Sequence, residues 1–183
     1  AAGLRAGILF DKATPSSMIP GRENLPEGTD TTHFSLMDAE GNMVSATLTV
    51  NTPFGSKFMV PGTGFVMNNE MDDFSAKHGD PNAYGLIGFT ANEIQPHKRP
   101  LSSMSPTLMI GADRQAVIGT PGGSQIITMV LLGILDFMDG HEPESWVGLP
   151  RYHHQYLPDK IVAEADAFSA EEVAALEAMG HTV

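Results

Sequence analysis

The stretch TTHFSLMDAEGNMVSATLTVN, residues 31–51, decides the fold. Thr31–Asp38 and Met43–Asn51 are both rich in β-forming residues, and Ala39-Glu40-Gly41-Asn42 between them is a tight-turn composition with glycine available for positive φ. An antiparallel hairpin follows. With the turn centred on residues 40–41, Thr31 lies opposite Val50 or Asn51. Side chains alternate between the faces of a strand, so Thr47, Thr49 and Asn51 share one face. Thr31 then sits beside or diagonally across from Thr49 and Asn51, at roughly 5–8 Å between Cβ atoms. A hydroxyl so placed finds polar partners without help from a distant loop; a Thr-rich solvated sheet face is the competing reading.

Downstream, residues 52–64 are a Gly/Pro-rich loop and Gly64–Asn69 reads as a short strand. From Asp72 to about Pro100 the chain lacks periodicity, and a long irregular loop in a compact domain is usually functional or mobile. Ser105–Ile110 and Ala116–Thr120 read as a second hairpin joined by Gly-Ala-Asp-Arg. Pro121-Gly122-Gly123-Ser124 opens the strongest helix, about Ser124–Met138, apolar on most faces and so expected to be buried. A shorter helix near Glu142–Val147, a strand Lys160–Ala165 and a helix Ala170–Met179 complete the pass. Ser169 with Glu172 three residues on is a capping-box pattern for the last helix. Upstream, residues 1 to about 12 suit a short helix, and 13–30, with three prolines and no hydrophobic period, read as an extended arm. The order of elements predicts an α+β fold with an antiparallel sheet covered by helices.

The chain has 183 residues, 10 Lys+Arg against 22 Asp+Glu, a formal net charge of −12 and no cysteine. The missing cysteines exclude a disulfide scaffold, a zinc finger and a thiol nucleophile. The charge argues against a nucleic-acid partner, which would need concentrated basic residues, and against anionic lipid. The longest apolar stretch, Met129–Leu135, is far short of the roughly 18 residues of a membrane span. No secretory leader is legible at the first residues, Ala-Ala-Gly-Leu-Arg.

The chemistry must therefore rest on oxygen nucleophiles, carboxylates, His or backbone amides. Thr31 is one candidate. Pro121-Gly122-Gly123-Ser124 is a second: consecutive glycines let backbone N–H groups point outward at a helix N-terminus, suiting an oxyanion better than a nucleotide in so acidic a chain, although a plain strand-to-helix turn would look the same. Asn68-Asn69-Glu70-Met71-Asp72-Asp73 could hold an ammonium group or a cation, or be simple surface acidity. Leu101-Ser102-Ser103-Met104-Ser105 offers hydroxyls and amides to a carboxylate, or is an ordinary strand entrance. His153 and His154, adjacent on a strand, point apart and make no metal pair.

Together, Asp30-Thr31-Thr32-His33-Phe34-Ser35, Thr49-Val50-Asn51-Thr52-Pro53-Phe54-Gly55, Asn68-Asn69-Glu70-Met71-Asp72-Asp73-Phe74, Lys98-Arg99-Pro100-Leu101-Ser102-Ser103-Met104-Ser105-Pro106 and Pro121-Gly122-Gly123-Ser124 resemble the γ-glutamyltransferases (γ-glutamyl transpeptidases), with Arg151-Tyr152-His153-His154-Gln155 as a further block. The resemblance implies an N-terminal-nucleophile hydrolase with an αββα sandwich, of which this chain holds the small-subunit part. It implies self-cleavage between Asp30 and Thr31, making 1–30 the C-terminal tail of the large subunit and 31–183 a small-subunit region that stops short of the family's C-terminal segment. The activity implied is γ-glutamyl transfer from, or hydrolysis of, glutathione and related amides through an ester on Thr31.

By the same resemblance, Thr49 orients Thr31, and Gly122 and Gly123 supply oxyanion N–H groups. Ser102 and Ser103 bind the donor α-carboxylate, Asn51, Glu70 and Asp73 its α-ammonium, and Tyr84 belongs to a lid. No cofactor or metal is implied. The implied partners are the large subunit, a γ-glutamyl donor, and an amino acid, peptide or water as acceptor, in a periplasmic or secreted setting, with the fragment alone inactive. The alternatives are a cephalosporin-acylase-like amidase of the same fold, or an unprocessed, non-catalytic chain.

Overall fold

The computed structural model describes residues 9–15, 31–77, 79–86, 88 and 90–183. The predicted arm and the Asp30 side of the predicted cleavage point fall almost wholly outside these residues. Within 9–12, where a helix was expected to end, the chain forms bends.

Strands β1 (Thr31–Met37) and β2 (Met43–Thr49) form the expected hairpin, but Thr31 faces Thr49 rather than Val50 or Asn51. The Asp38 carboxylate causes the shift. It accepts from the N–H groups of Glu40 (3.0 Å) and Asn42 (2.8 Å) and from Asn42 Nδ2 (2.7 Å), so the reversal centres on Glu40 with Gly41 at φ +85°.

On the shared face, Thr31, His33, Ser45, Thr47 and Thr49 are half-buried and Ser35 is exposed, so the solvated-face reading holds at Ser35 alone. Ser45 Oγ donates to Ile118 O (3.0 Å), and the His33 ring, hydrogen-bonded to Thr47 (2.8 Å) and Ser35 (2.9 Å), lies against Gly119. Burial holds the His33 pKa below its ordinary value. Phe34, Leu36, Val44 and Leu48, on the other face, are each about half exposed. A polar face is half-buried here because its hydroxyls and ring nitrogens satisfy one another.

Strands β3 (Thr107–Ile110) and β4 (Gln115–Ile118) pair around residues 111–114, with Thr107 opposite Ile118; β3 starts later than expected and Gln115 joins β4. A 3-10 turn at Gly123–Gln125 leads into α1 (Ile126–Met138). Only one stripe of α1 is covered: Ile126, Val130, Gly133 and Phe137 are buried, whereas Ile127, Leu131, Leu135 and Met138 are exposed, so the helix expected to be buried is only partly so. Met109, Ala116 and Phe137 form the core, flanked by Ile118, Ile134 and Trp146, whose ring meets Phe137 edge-on at 5.4 Å. Gly133 admits Ile118 to the helix surface, since a Cβ there would lie 2.4 Å from Ile118 Cδ1.

Helix α2 (Pro143–Gly148), the short ladder of β5 (Tyr152–His153) with β6 (Val162–Ala163), and α3 (Ala170–Ala178) follow. Ser169 and Glu172 form the expected capping box. The strand expected at 64–69 is reduced to one antiparallel bridge, Met59 with Val66. Residues 70–100 are irregular as expected, with 3-10 turns at Glu70–Asp73 and Thr90–Asn92. The result is α+β, with antiparallel hairpins backed by α1.

The packing of His33 on Gly119 gives a test. A methyl group at 119 would sit 2.1 Å from His33 Cε1. Gly119→Ala in the full-length protein should therefore cost about 1–3 kcal/mol by overpacking, and adding His33→Ala should recover part of it. Thermal unfolding of the two single variants and the double variant measures the coupling; simple additivity refutes the contact.

Candidate active site

The site grows from the first residue of β1. The Thr31 hydroxyl donates to Thr49 Oγ1 at 3.2 Å, and Thr49 Oγ1 also accepts the Asn51 N–H at 2.9 Å. Past β2 the backbone reverses through Asn51, which adopts φ +78° and is 2% exposed. Positive φ costs an ordinary residue energy but is tolerated by Asn, and here the side chain anchors it, Nδ2 donating to Asn69 O at 3.1 Å. Asn69 returns the support: its Oδ1 accepts from the N–H (3.1 Å) and hydroxyl (3.0 Å) of Thr52.

Tyr84 covers Asn51. Its phenol donates to Asn51 O and its side chain is buried. The loop carrying it is closed by Asn82 Oδ1, which accepts from the N–H groups of Tyr84 (2.9 Å) and Leu86 (3.0 Å), and by Asp72 Oδ2, which accepts from Ala83 N–H (2.8 Å).

The turn Glu70–Asp73 brings two carboxyl groups together. Burial, then the charges of Glu70 and Asp72, push the Asp73 carboxyl up to about 7, and burial also raises Glu70. Glu70 and Asp73 are hydrogen-bonded to each other, while Glu70 Oε1 is buried without a partner among the described residues. Two carboxyls this close resist ionising together, and a cation arriving there would favour their charged forms.

Asn92 ties this turn to the serine pair. Its Nδ2 donates to Asp73 O (2.7 Å) and its Oδ1 accepts the Leu101 N–H (3.0 Å), one residue before Ser102. Sequence reasoning missed Asn92; it lies in an unpatterned stretch with no motif to mark it.

The glycine turn lies opposite. Gly122 and Gly123 adopt φ +140° and +57°, and a Cβ at Gly122 would strike Met129 Cε at 2.3 Å. Among the described residues neither glycine N–H donates a hydrogen bond.

Of the residues singled out from sequence, Thr31, Thr49, Asn51, Asp73, Tyr84, Ser102, Ser103 and Gly123 line one cleft. The other two stand apart: Glu70 reaches the site through Asp73, and Gly122 lines a neighbouring, larger cleft of about 350 Å³ with Gln125, Met129 and Arg151. Hydroxyls, an acid and backbone amides converge in the smaller cleft. At about 20 Å³ it has room for roughly one water molecule. Among the described residues no group of three or more His, Asp and Glu is arranged to hold a metal.

The family model described as Gamma-glutamyltranspeptidase matches residues 1–183. The glutathione hydrolase proenzyme of Escherichia coli strain K12 is 47% identical over 179 residues, covering 96% of this chain and 31% of that protein. The chain thus spans about a third of the length of the curated relatives it matches. A mutant of Helicobacter pylori gamma-glutamyltranspeptidase matches with a TM-score of 0.78 at 46% identity, covering 82% of each chain. The Bacillus anthracis transpeptidase CapD, with a TM-score of 0.61, 23% identity and coverage of 83% of this chain and 76% of that one, shares the fold alone.

Asp73 gives a pH signature. Its pKa in the folded chain, about 7, lies above the ordinary 3.8, so the folded state binds the extra proton and this group's contribution to stability falls as pH rises through 7. Asp73→Asn should raise the unfolding temperature of the full-length protein at about pH 8 and much less at about pH 4. Equal shifts at both pH values would show that Asp73 titrates normally.

Proposed function

The chain belongs to the gamma-glutamyltranspeptidase family, and from that membership we propose that it carries the nucleophile and most of the donor-binding site of an enzyme that transfers or hydrolyses γ-glutamyl groups. Residues 31–183 are the small-subunit region and 1–30 the tail of the large subunit, whose remainder belongs to the rest of the precursor. The observation that carries this reading is the single cleft in which the Thr31–Thr49 hydroxyl pair meets Asp73, Ser102, Ser103 and Gly123.

In the precursor, the Thr31 hydroxyl attacks the carbonyl of Asp30. The amide becomes an ester, and water hydrolyses the ester to leave Thr31 with a free α-amine. That amine, with an unperturbed pKa of about 7.7–8.0, takes the proton of its own hydroxyl near neutral pH. Thr49 holds the hydroxyl in line through the 3.2 Å bond. This is how a chain without cysteine generates a nucleophile.

The Thr31 oxygen then attacks the γ-carbonyl of glutathione or a related donor. Gly123 N–H, with Gly122 beside it, stabilises the charge that develops on the carbonyl oxygen. The amine leaves with a proton, and an acceptor amine or water cleaves the γ-glutamyl ester. Ser102 and Ser103 take the donor's α-carboxylate. Asn51 and the Glu70–Asp73 pair take its α-ammonium, whose charge favours the ionised forms of the pair. An acyl group without an amino-acid head would have no use for these groups, which favours γ-glutamyl donors over other amides. A cleft of about 20 Å³ is too small for a γ-glutamyl group, so the bond from Tyr84 to Asn51 O opens for entry and re-forms over the donor.

Mass analysis of the expressed full-length protein should show two chains divided before Thr31, and an enduring single chain would sink the proposal. Thr31→Ala should leave one chain and remove γ-glutamyl-anilide turnover by at least about 10³-fold. Thr49→Val should slow turnover by about 10²-fold through loss of hydroxyl alignment, with Thr31 still present.

A further inference from the structure

Gln155 connects the two walls of the cleft. Its Nε2 donates to Leu157 O (2.8 Å) and to Tyr84 O (3.3 Å), and these two carbonyls fix which end of the amide is which. Its Oε1 must then accept, and it does so from the Ser124 hydroxyl and from His153 Nε2 at 2.9 Å. His153 is thereby held with a proton on Nε2, and its Nδ1 faces the Thr128 hydroxyl on α1 at 2.8 Å. Ser124 and His153 are both buried, at 4% and 7% exposure, in an environment where losing a partner is costly. Ser124 follows Gly123 directly, and Tyr84 is the residue whose phenol closes over Asn51. One side chain therefore grips the backbone of the covering loop with one end and the glycine turn with the other.

We propose that Gln155, oriented by His153, is a positioning residue that couples closure of the Tyr84 loop to alignment of the Gly123 N–H. The proposal rests on the reading that Thr31 is the nucleophile, Tyr84 the cover and Gly123 an oxyanion donor. When Tyr84 seats over a donor, its carbonyl meets Gln155 Nε2, and the same amide, through Oε1, locks Ser124 and hence the turn that bears the Gly123 N–H. The two ends can be separated chemically. Gln155→Glu keeps oxygen acceptors for Ser124 and His153 but loses the donor to Tyr84 O and Leu157 O. Ser124→Ala removes the hydroxyl that reaches Gln155 Oε1 and leaves both Nε2 bonds in place. Gln155→Met keeps the length of the side chain and loses both arms.

The full-length protein is assayed with a γ-glutamyl anilide after mass analysis confirms two chains. Ser124→Ala should lower kcat about tenfold with the donor KM within about twofold. Gln155→Glu should raise KM about tenfold with a smaller change in kcat, and Gln155→Met should do both. A turnover-independent measurement accompanies them: chymotryptic cleavage of the Tyr84–Gly85 bond, followed by mass, should be at least about tenfold faster in Gln155→Glu and Gln155→Met than in the parent, and unchanged in Ser124→Ala. Parent-like kinetics in variants that have matured, a uniform loss in all three, or unchanged protection of Tyr84 in Gln155→Glu would each overturn the coupling. If Gln155→Met does not mature, Gln155→Glu and Ser124→Ala decide by the same criteria. A parent protein that matures yet turns over no γ-glutamyl anilide refutes the proposed function instead, and the chymotryptic rates then decide alone whether Gln155 holds the loop.

Discussion

The hydroxyl-to-hydroxyl bond from Thr31 to Thr49 depends on a register set at the far end of the hairpin. Asp38 gathers three N–H groups within residues 40–42, which centres the reversal on Glu40 and sets Thr31 directly across from Thr49. A slip by one residue would send Thr31 to the apolar face with Phe34 and Leu48. The same register lines His33 up with Thr47, so the half-buried face is a ladder of matched polar pairs. A turn at one end of the hairpin thus governs the geometry of the Thr31 hydroxyl at the other.

The second wall of the cleft is assembled from irregular backbone, and asparagines do the work that a sheet does on the first. Asn69 clamps the Thr52 turn, Asn82 closes the Tyr84 loop, and Asn92 joins the acidic turn to the serine pair. Each side chain supplies an amide donor or a carbonyl acceptor to backbone groups that have no ladder partner. Each clamp is local, joining groups no more than 19 residues apart in the chain. The cost is concentrated at Glu70 and Asp73, where burial pushes both carboxyls up, Asp73 to about 7.

Much of the fold was legible. Alternation and the turn composition marked β1–β2, Gly-Ala-Asp-Arg marked β3–β4, and Ser169 with Glu172 marked the start of α3. The misses have physical causes. The register was misjudged because composition shows that a turn is present, not which N–H groups the Asp38 carboxylate will collect. The exposed stripe of α1 was missed because a helix apolar on most faces does not reveal which of them the neighbouring elements reach. Residues 64–69 have strand-like composition, but Met59–Val66 is a single bridge with no ladder to extend it.

The sequence by itself determined the elements, the lack of cysteine in these 183 residues, and a set of residues most of which meet in one cleft. Those features are local or compositional, since a hairpin, a capping box and a glycine pair need only their own neighbours. The tertiary structure alone decided that the Thr-rich face is half-buried, that Gly122 opens to a different cleft from Gly123, and that Gln155 reaches both Tyr84 and Ser124. Each depends on contacts across scores of intervening residues, and sequence patterns carry no record of such distances because chain folding, not residue order, brings those groups together.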